Sequence, residues 1–90
     1  MTQLISLESK PALSNLFRMQ WEESQQAWVL LYPEGMVRLN PPAAEILRRC
    51  TGTATVAEII AELQNAFGER DLQSDVLEFL GVADGKGWIK

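Results

Sequence analysis

The sequence predicts a single α+β domain, in which a small three-stranded antiparallel sheet is followed by three helices. Residues 15–39 alternate apolar and polar side chains and are rich in aromatic and branched residues, as β-strands are. Residues 40–85 instead place apolar residues three and four positions apart, which is typical of amphipathic helices. With 90 residues, the chain is long enough for one domain only.

The N-terminal stretch, residues 1–14, has no clear apolar period and includes Pro11. We therefore expect a loose arm there, ahead of the domain at residues 15–90. Glu8 and Lys10 fall where a signal peptide needs an unbroken apolar run, which predicts a cytoplasmic protein. No stretch approaches the ~20 apolar residues that cross a bilayer, so we expect no membrane partner.

Three strands are predicted from alternation and turn chemistry. The first runs from about Leu16 to Trp21 and is followed by a polar break at 22–26. The second is the aromatic and branched run 27–32, and the third is the short run 36–39. Proline, glutamate and glycine at 33–35 are typical of a turn, so the second and third strands should form a hairpin.

The first two helices carry start and stop signals. Asn40 caps the first, and Pro41 occupies the first helical position, where its missing N–H has no cost. Thr55 and Glu58 form a capping box at the start of the second. Glycines should end the two helices, at positions 52 and 68. The predicted apolar faces are Ala43, Ile46, Leu47 and Cys50 in the first helix, and Val56, Ile59, Ile60, Leu63 and Phe67 in the second.

The third helix is predicted to start at Asp71 as its cap and to end near Gly85. Trp88 follows in a short extended tail, where it either covers the domain or contributes to a partner surface. Three short helices beside a small antiparallel sheet suggest a winged-helix-like arrangement. The buried side of this helix should be formed by Leu72, Val76, Phe79, Leu80 and Ala83.

Composition excludes several classes of site. The chain has one cysteine, Cys50, and no histidine, so it lacks the residues for a Cys/His zinc site or a His-based nucleophile arrangement. Composition alone does not exclude a carboxylate-only metal site or a paired-carboxylate hydrolase, but neither has a supporting motif. No phosphate-binding loop is evident either, and we expect no metal and no cofactor. The net charge is −4, and it falls on residues 51–90, which hold seven acidic and three basic side chains. That balance disfavours binding to nucleic acid.

The run Trp28 to Asn40, with the sequence WVLLYPEGMVRLN, resembles the signature of the pyrroloquinoline quinone (PQQ) biosynthesis protein D family. Shorter stretches at 43–47, 55–60 and 75–80 keep the order and spacing of that family. The segment LLYPEG is the specific part of the resemblance, which extends from about residue 16 to residue 89. Thr51 departs from the pattern, because the family often has aspartate just before the glycine that ends the first helix.

The resemblance implies a peptide-recognition domain of winged-helix type that performs no chemistry itself. It implies that the domain binds the precursor peptide of PQQ and presents it to a radical S-adenosylmethionine enzyme, which cross-links a Glu and a Tyr of that peptide. In related recognition domains the peptide adds as a strand beside the third strand and lies against the third helix. On this chain, the implied peptide-binding residues are Gly35, Met36, Val37, Arg38, Leu39, Asp75, Val76, Leu77 and Leu80.

The physics of a sheet edge agrees with that placement, because an edge strand offers unpaired N–H and C=O groups to an incoming peptide. The simpler alternative is that the third strand only builds the core. Alternation places Val37 and Leu39 on the structural face, with Met36 and Arg38 on the other. Leu77 lies off the centre of its apolar stripe, so it either lines the groove or borders the core.

Three other classes of function compete with peptide recognition. A DNA-binding winged helix is disfavoured because the third helix has no Lys or Arg between Asp71 and Asp84. A small enzyme is disfavoured because the chain shows no set of catalytic or metal-binding residues. A dimerisation module is the third possibility, since an edge strand can also pair between copies. We therefore leave both a monomer and a homodimer open.

Overall fold

The computed structural model describes residues 5–68 and 71–90, and it confirms a three-stranded antiparallel sheet followed by three helices. The sheet has the order β1-β2-β3, so β2 is central and the other two strands lie at its edges. Within the described ranges, no helix is long and apolar enough to cross a bilayer. The strands are β1 (Arg18–Glu22), β2 (Ala27–Tyr32) and β3 (Gly35–Arg38), and the helices are α1 (Pro41–Leu47), α2 (Val56–Phe67) and α3 (Gln73–Gly85).

The central strand β2 has the bounds that the sequence predicts, and β1 starts later than predicted. Residues 14–17 form a turn, in which the Phe17 N–H donates to the Ser14 carbonyl at 3.0 Å. Leu16 is therefore outside the strand and is largely exposed. In the sheet, Leu30 of β2 lies opposite Met19 of β1 and Val37 of β3.

Side-chain caps hold the starts of α1 and α2, as predicted. The Asn40 side chain accepts from the Ala43 N–H at 2.9 Å. At α2, the Thr55 hydroxyl accepts from the Glu58 N–H at 3.1 Å, and the Glu58 carboxylate accepts from the Thr55 N–H at 2.8 Å. These bonds satisfy N–H groups that a helix start leaves without an internal partner. Gly68 ends α2 with a φ of 68°, a conformation that favours glycine.

Three details of the helices differ from the prediction. Helix α1 ends at Leu47, well before Gly52. Helix α3 begins with Leu72 at the cap position and without a side-chain cap, while Asp71 accepts only a long 3.4 Å bond from Gln73. Phe67 was expected in the buried stripe of α2, but 56% of it is exposed because it lies in the last turn, beyond the core.

The core lies between the sheet and the three helices. Leu30, Ile59 and Leu80 are essentially fully buried, so one side chain from the sheet meets side chains from two helices. Cys50 is buried in the same cluster, as its apolar spacing predicted, although it lies beyond the end of α1 at Leu47. Trp88 packs against Phe79 of α3 with ring centroids 6.5 Å apart, which agrees with its covering the domain.

Two arginines after α1 connect it to its neighbours. Arg48 lies over the ring of Trp28 at 5.2 Å from the centroid, which joins α1 to the sheet. Arg49 donates to Glu45 at 2.8 Å and to Glu62 of α2 at 2.6 Å. Burial lowers the pKa of Arg49, but the bonds to the two glutamates outweigh it and raise that pKa overall. Arg48 and Arg49 therefore connect the end of α1 to the sheet and to α2.

Residues 5–14, predicted as part of a loose arm, make backbone bonds across the domain. The Gly52 N–H donates to the Pro11 carbonyl at 2.9 Å, and Ala12 and Leu13 form bridges with Thr51 and Ile89. A Cβ at Gly52 would lie 3.3 Å from the Ala12 side chain, and its φ is 86°, so glycine permits this close approach. Residues 1–4 of the predicted arm lie outside the described residues.

Candidate functional site

The orientation of β2 decides which groups of the two edge strands are free. The Leu39 N–H donates to the Trp28 carbonyl at 2.9 Å, so the backbone groups of Trp28 point towards β3. In an antiparallel ladder this direction alternates from one residue to the next. Leu30 therefore also bonds towards β3, whereas the backbone groups of Val29 and Leu31 point towards β1.

Among the described residues no strand pairs with the outer edge of β3, which consequently presents the backbone of Met36 and Arg38. These residues lie opposite Leu31 and Val29, whose N–H and C=O groups face the other way. Their own N–H and C=O groups must then point out of the sheet. Val37, by contrast, uses its backbone groups to bond with β2. An extended peptide added at this edge would meet two donors and two acceptors, spaced two residues apart.

The side chains of β3 divide as alternation predicted. Met36 is 49% exposed and Arg38 is exposed, whereas Val37 is half-buried against the core and Leu39 is buried. Gly35, the first residue of the strand, is exposed at the end of the turn. The strand therefore supports the core with one face and leaves the other face, together with its edge, open to a ligand.

On α3, the residues of the expected groove also separate into two groups. Asp75 is exposed and Leu77 is half-buried at the border of the core, so a ligand can reach both. Val76 and Leu80 are only 2% and 0% exposed, which places them inside the core rather than on a binding surface. Leu39, the residue that follows β3, is also covered, with 4% of it exposed. These three residues can support a groove, but their side chains are covered.

Helix α3 and strand β3 border the same core without packing closely on one another. Val37, Leu77 and Leu80 all belong to one hydrophobic cluster. The close backbone contacts within the described residues instead join β3 to β2 and α3 to α2.

Charge in this region is uncompensated. Arg38 and Asp75 have no ion-pair partner within 4.0 Å among residues 5–68 and 71–90. Both side chains are exposed, so each remains available to an oppositely charged group on a ligand.

A mostly apolar cavity of about 430 Å³ lies at the start of α3, between that helix and the other two. The exposed ring of Phe67 contributes to its wall, a role that the helical period could not reveal because it assigned this ring to the core. Asp75 and Val76 are shared between this cavity and the expected peptide-binding residues. The remaining lining residues are Pro41, Pro42, Glu45, Ile46, Leu63 and Leu72.

No cluster of three or more metal-ligating side chains occurs in residues 5–68 and 71–90. Burial raises the pKa of the Cys50 thiol to about 11, which keeps it protonated and a poor nucleophile at neutral pH. The accessible chemistry consists of backbone hydrogen bonds, apolar contacts and single charges.

Comparison with known protein families decides the family. Residues 27–89 match the family described as coenzyme PQQ synthesis protein D (PqqD). The chain belongs to the PqqD family. This confirms the resemblance found in the sequence, and the matched range contains all of the expected groove residues, from Gly35 to Leu80.

Individual PqqD relatives match over nearly the whole chain. A protein of Azotobacter vinelandii, named PqqA binding protein, is 49% identical over 86 residues, which cover 94% of each chain. A Methylococcus capsulatus protein of the same name is 46% identical over 78 residues, covering 87% of this chain and 84% of the relative. Both names describe a protein that binds PqqA.

A solved structure confirms the fold. The solution NMR structure of the PqqD truncation of Methylobacterium extorquens PqqCD superposes with a TM-score of 0.80 at 26% identity, covering 99% of this chain and 96% of that one. That protein is described as a functional, stand-alone recognition element for ribosomally synthesised and post-translationally modified peptides.

Proposed function

We propose that this chain binds the PQQ precursor peptide, PqqA, along the free edge of β3 and against α3. The names of the relatives support the choice of ligand, since several full-length matches are PqqA binding proteins. The observation that carries the choice of site is the pair of outward-facing backbone positions at Met36 and Arg38.

Backbone pairing supplies the affinity in this arrangement, and side chains supply the selection. An added strand places alternate peptide residues on each face of the sheet, where Met36 and Arg38 lie on one face and Val37 on the other. Gly35 at the turn has no side chain, so it leaves the end of β3 accessible to a peptide. Leu77 and Asp75 of α3 provide an apolar contact and a negative charge. The core stabilises the positions of β3 and α3 through the buried side chains of Leu39, Val76 and Leu80.

The bound peptide is presented to the radical S-adenosylmethionine enzyme of the pathway, and the chain itself catalyses nothing. Its accessible groups bind but do not react, since its thiol is buried and protonated. Pairing with β3 would hold one segment of the peptide extended and leave the rest free for an enzyme. We place these events in the cytoplasm.

The charge of α3 argues against the alternative that the chain binds DNA. Helix α3 carries Asp75, Glu78 and Asp84 and no basic residue along its length. Phosphate groups would be repelled by it.

Titration calorimetry of PqqA into matched variants at one position tests the proposal. Arg38→Pro removes an outward-facing N–H while leaving the bonds between β2 and β3 in place, so we expect it to weaken binding at least about tenfold. Arg38→Ala retains that N–H and reports the side chain alone, with an expected loss of only a few-fold.

The circular dichroism of each variant must match the wild type before its affinity is interpreted. Arg38→Pro that folds and binds like the wild type would move the peptide away from this edge. Wild-type protein that does not bind PqqA at all would contradict the proposed ligand. Val37→Pro is unsuitable as a probe, because the N–H that it removes bonds to β2 and the sheet itself would weaken.

A further inference from the structure

The apolar cavity of about 430 Å³ at the start of α3 takes no part in strand pairing at β3. Phe67, in the last turn of α2, lines it and is 56% exposed. The buried side chains among its lining, Ile46, Leu63 and Val76, belong to the core. An apolar surface that opens from the core to the outside marks a site where another apolar group binds.

Leu72 lines the cavity from a position where a helix usually starts with a polar residue. It occupies the cap position of α3 without a capping bond from its side chain, although Ser, Thr, Asp and Asn are preferred there. Its side chain is instead half-buried against the core. The Leu72 N–H donates to the Gln64 side chain of α2 at 3.3 Å, which joins the start of α3 to α2. The cavity is therefore formed before a ligand binds, and little ordering is needed on binding.

The cavity continues the proposed peptide site at both of its sides. On the helix side, Asp75 and Val76 line the cavity and also belong to that site. On the strand side, the cavity is lined by Pro41, which comes soon after Arg38, the last outward-facing residue of β3. An extended chain covers roughly 10–11 Å in three residues, the separation of these two positions. A peptide paired with Arg38 therefore brings its next few residues to the mouth of the cavity.

Size and charge define the group that this cavity accepts. Ligand cavities range over roughly 300–1,000 Å³, so this one is at the small end and suits one large side chain rather than a folded partner. Its lining is apolar apart from two carboxylates. Glu45 is paired with Arg48 at 3.3 Å and with Arg49 at 2.8 Å, whereas Asp75 is exposed and has no ion pair within residues 5–68 and 71–90. The uncompensated charge at the rim is therefore negative.

We infer that this cavity holds a large apolar side chain of the bound peptide, and that Asp75 pairs with a Lys or Arg one or two positions away in the peptide. The inference rests on the proposed function, since it names the side chains by which this chain selects its peptide. Phe67 and Leu72 contact the inserted side chain. Backbone pairing at β3 is open to almost any sequence, so the cavity supplies the selection, and a peptide without this apolar and basic pair binds weakly.

Truncation of the exposed ring tests the apolar contact. Phe67→Ala removes the ring from the cavity, so we expect the dissociation constant for PqqA, measured by titration calorimetry, to rise about tenfold. Phe67→Leu keeps an apolar side chain and should stay within about threefold of the wild type. Leu16→Ala is the matched control, because this side chain is 69% exposed but lies ahead of β1, at the opposite edge of the sheet, and its loss should leave binding unchanged.

The outcomes separate this inference from the proposed function. F67A that binds PqqA like the wild type, while R38P binds it weakly, would overturn the inference and leave peptide pairing at β3 intact. A wild type that does not bind PqqA would contradict the proposed function, and the inference with it.

An alanine scan of PqqA against the wild type and F67A identifies the inserted residue. Replacing one apolar residue of PqqA should weaken binding to the wild type about tenfold but binding to F67A no more than about twofold, because that contact is already lost. Equal losses in the two proteins for every residue of PqqA would overturn the inference.

The charged contact is tested in the same way with Asp75→Asn. Replacing the neighbouring Lys or Arg of PqqA should weaken binding to the wild type several-fold and leave binding to D75N nearly unchanged, and D75N should bind PqqA with a smaller dependence on salt. Glu78→Gln is the matched control, since this exposed carboxylate lies on the same helix but outside the cavity, and it should keep the salt dependence of the wild type. A salt dependence that falls equally in D75N and E78Q would show that Asp75 acts only through the general charge of α3, and would overturn its pairing with the peptide.

Discussion

At the scale of single residues, the buried thiol of Cys50 links folding to alkaline pH. Burial disfavours the thiolate and raises its pKa from the ordinary value of 9.0 to about 11 in the folded protein. Between these values the unfolded state loses a proton that the folded state keeps. The stabilisation is therefore fully present below pH 9.0 and is lost as the pH rises to about 11.

We expect this residue to reduce the free energy of unfolding by about 2–3 kcal/mol over that range. Urea denaturation from pH 8 to pH 11 measures the effect, with Cys50→Ala as the control for other groups that titrate there. The variant is expected to be less stable at neutral pH, where it leaves a small cavity, but to show a flatter pH dependence. Parallel pH profiles for the two proteins would contradict the assignment.

Individual side chains also show how far a pattern can be extended. The alternation of β3 correctly placed Val37 inward and Met36 outward, because a strand in a two-layered domain must bury one face. The helical period of α2 failed at Phe67, which continues the stripe beyond the edge of the core. Periodicity shows which side of a helix faces inward, but it does not show where the neighbouring elements end.

At the scale of elements, the capping box of α2 should make a measurable contribution to stability. Thr55→Ala removes the acceptor for the Glu58 N–H and is expected to lower the free energy of unfolding by about 1 kcal/mol. Thr53→Ala is the matched control, since its hydroxyl contacts only the exposed Thr51 side chain at 2.8 Å and should cost no more than about 0.5 kcal/mol. Denaturant titration distinguishes the two. Equal losses would show that the box adds nothing beyond local contacts.

The N-terminal segment shows why some elements escape sequence analysis. Residues 5–14 are held by backbone hydrogen bonds, such as those from the Val56 N–H to the Ser9 carbonyl and from the Leu13 N–H to the Cys50 carbonyl, and not by a periodic apolar face. Backbone bonds of this kind depend on the folded positions of Gly52 and Ile89, far along the chain. The caps of α1 and α2 and the turn at residues 33–35 could be predicted because their sequence signals are local.

At the scale of the whole molecule, the domain combines three helices with a small sheet, and no further strand pairs with either edge of that sheet among residues 5–68 and 71–90. The sequence predicted the order of elements, because each has a local pattern, and the family signature suggested the strand that we propose for the site. It could not show which backbone groups point outward. That property depends on the direction of one bond, from Leu39 to Trp28, and on the register of the sheet that follows from it.

The most direct test of the central claim is amide hydrogen exchange at β3 with and without saturating PqqA. We predict strong new protection at Met36 and Arg38, whose N–H groups point out of the sheet, and little change at Val37, which is already bonded to β2. The amides of Met19 and Trp21 on β1 serve as the internal control at fixed protein concentration. Protection that appears on β1 or on the helices while Met36 and Arg38 remain exchangeable would contradict the account.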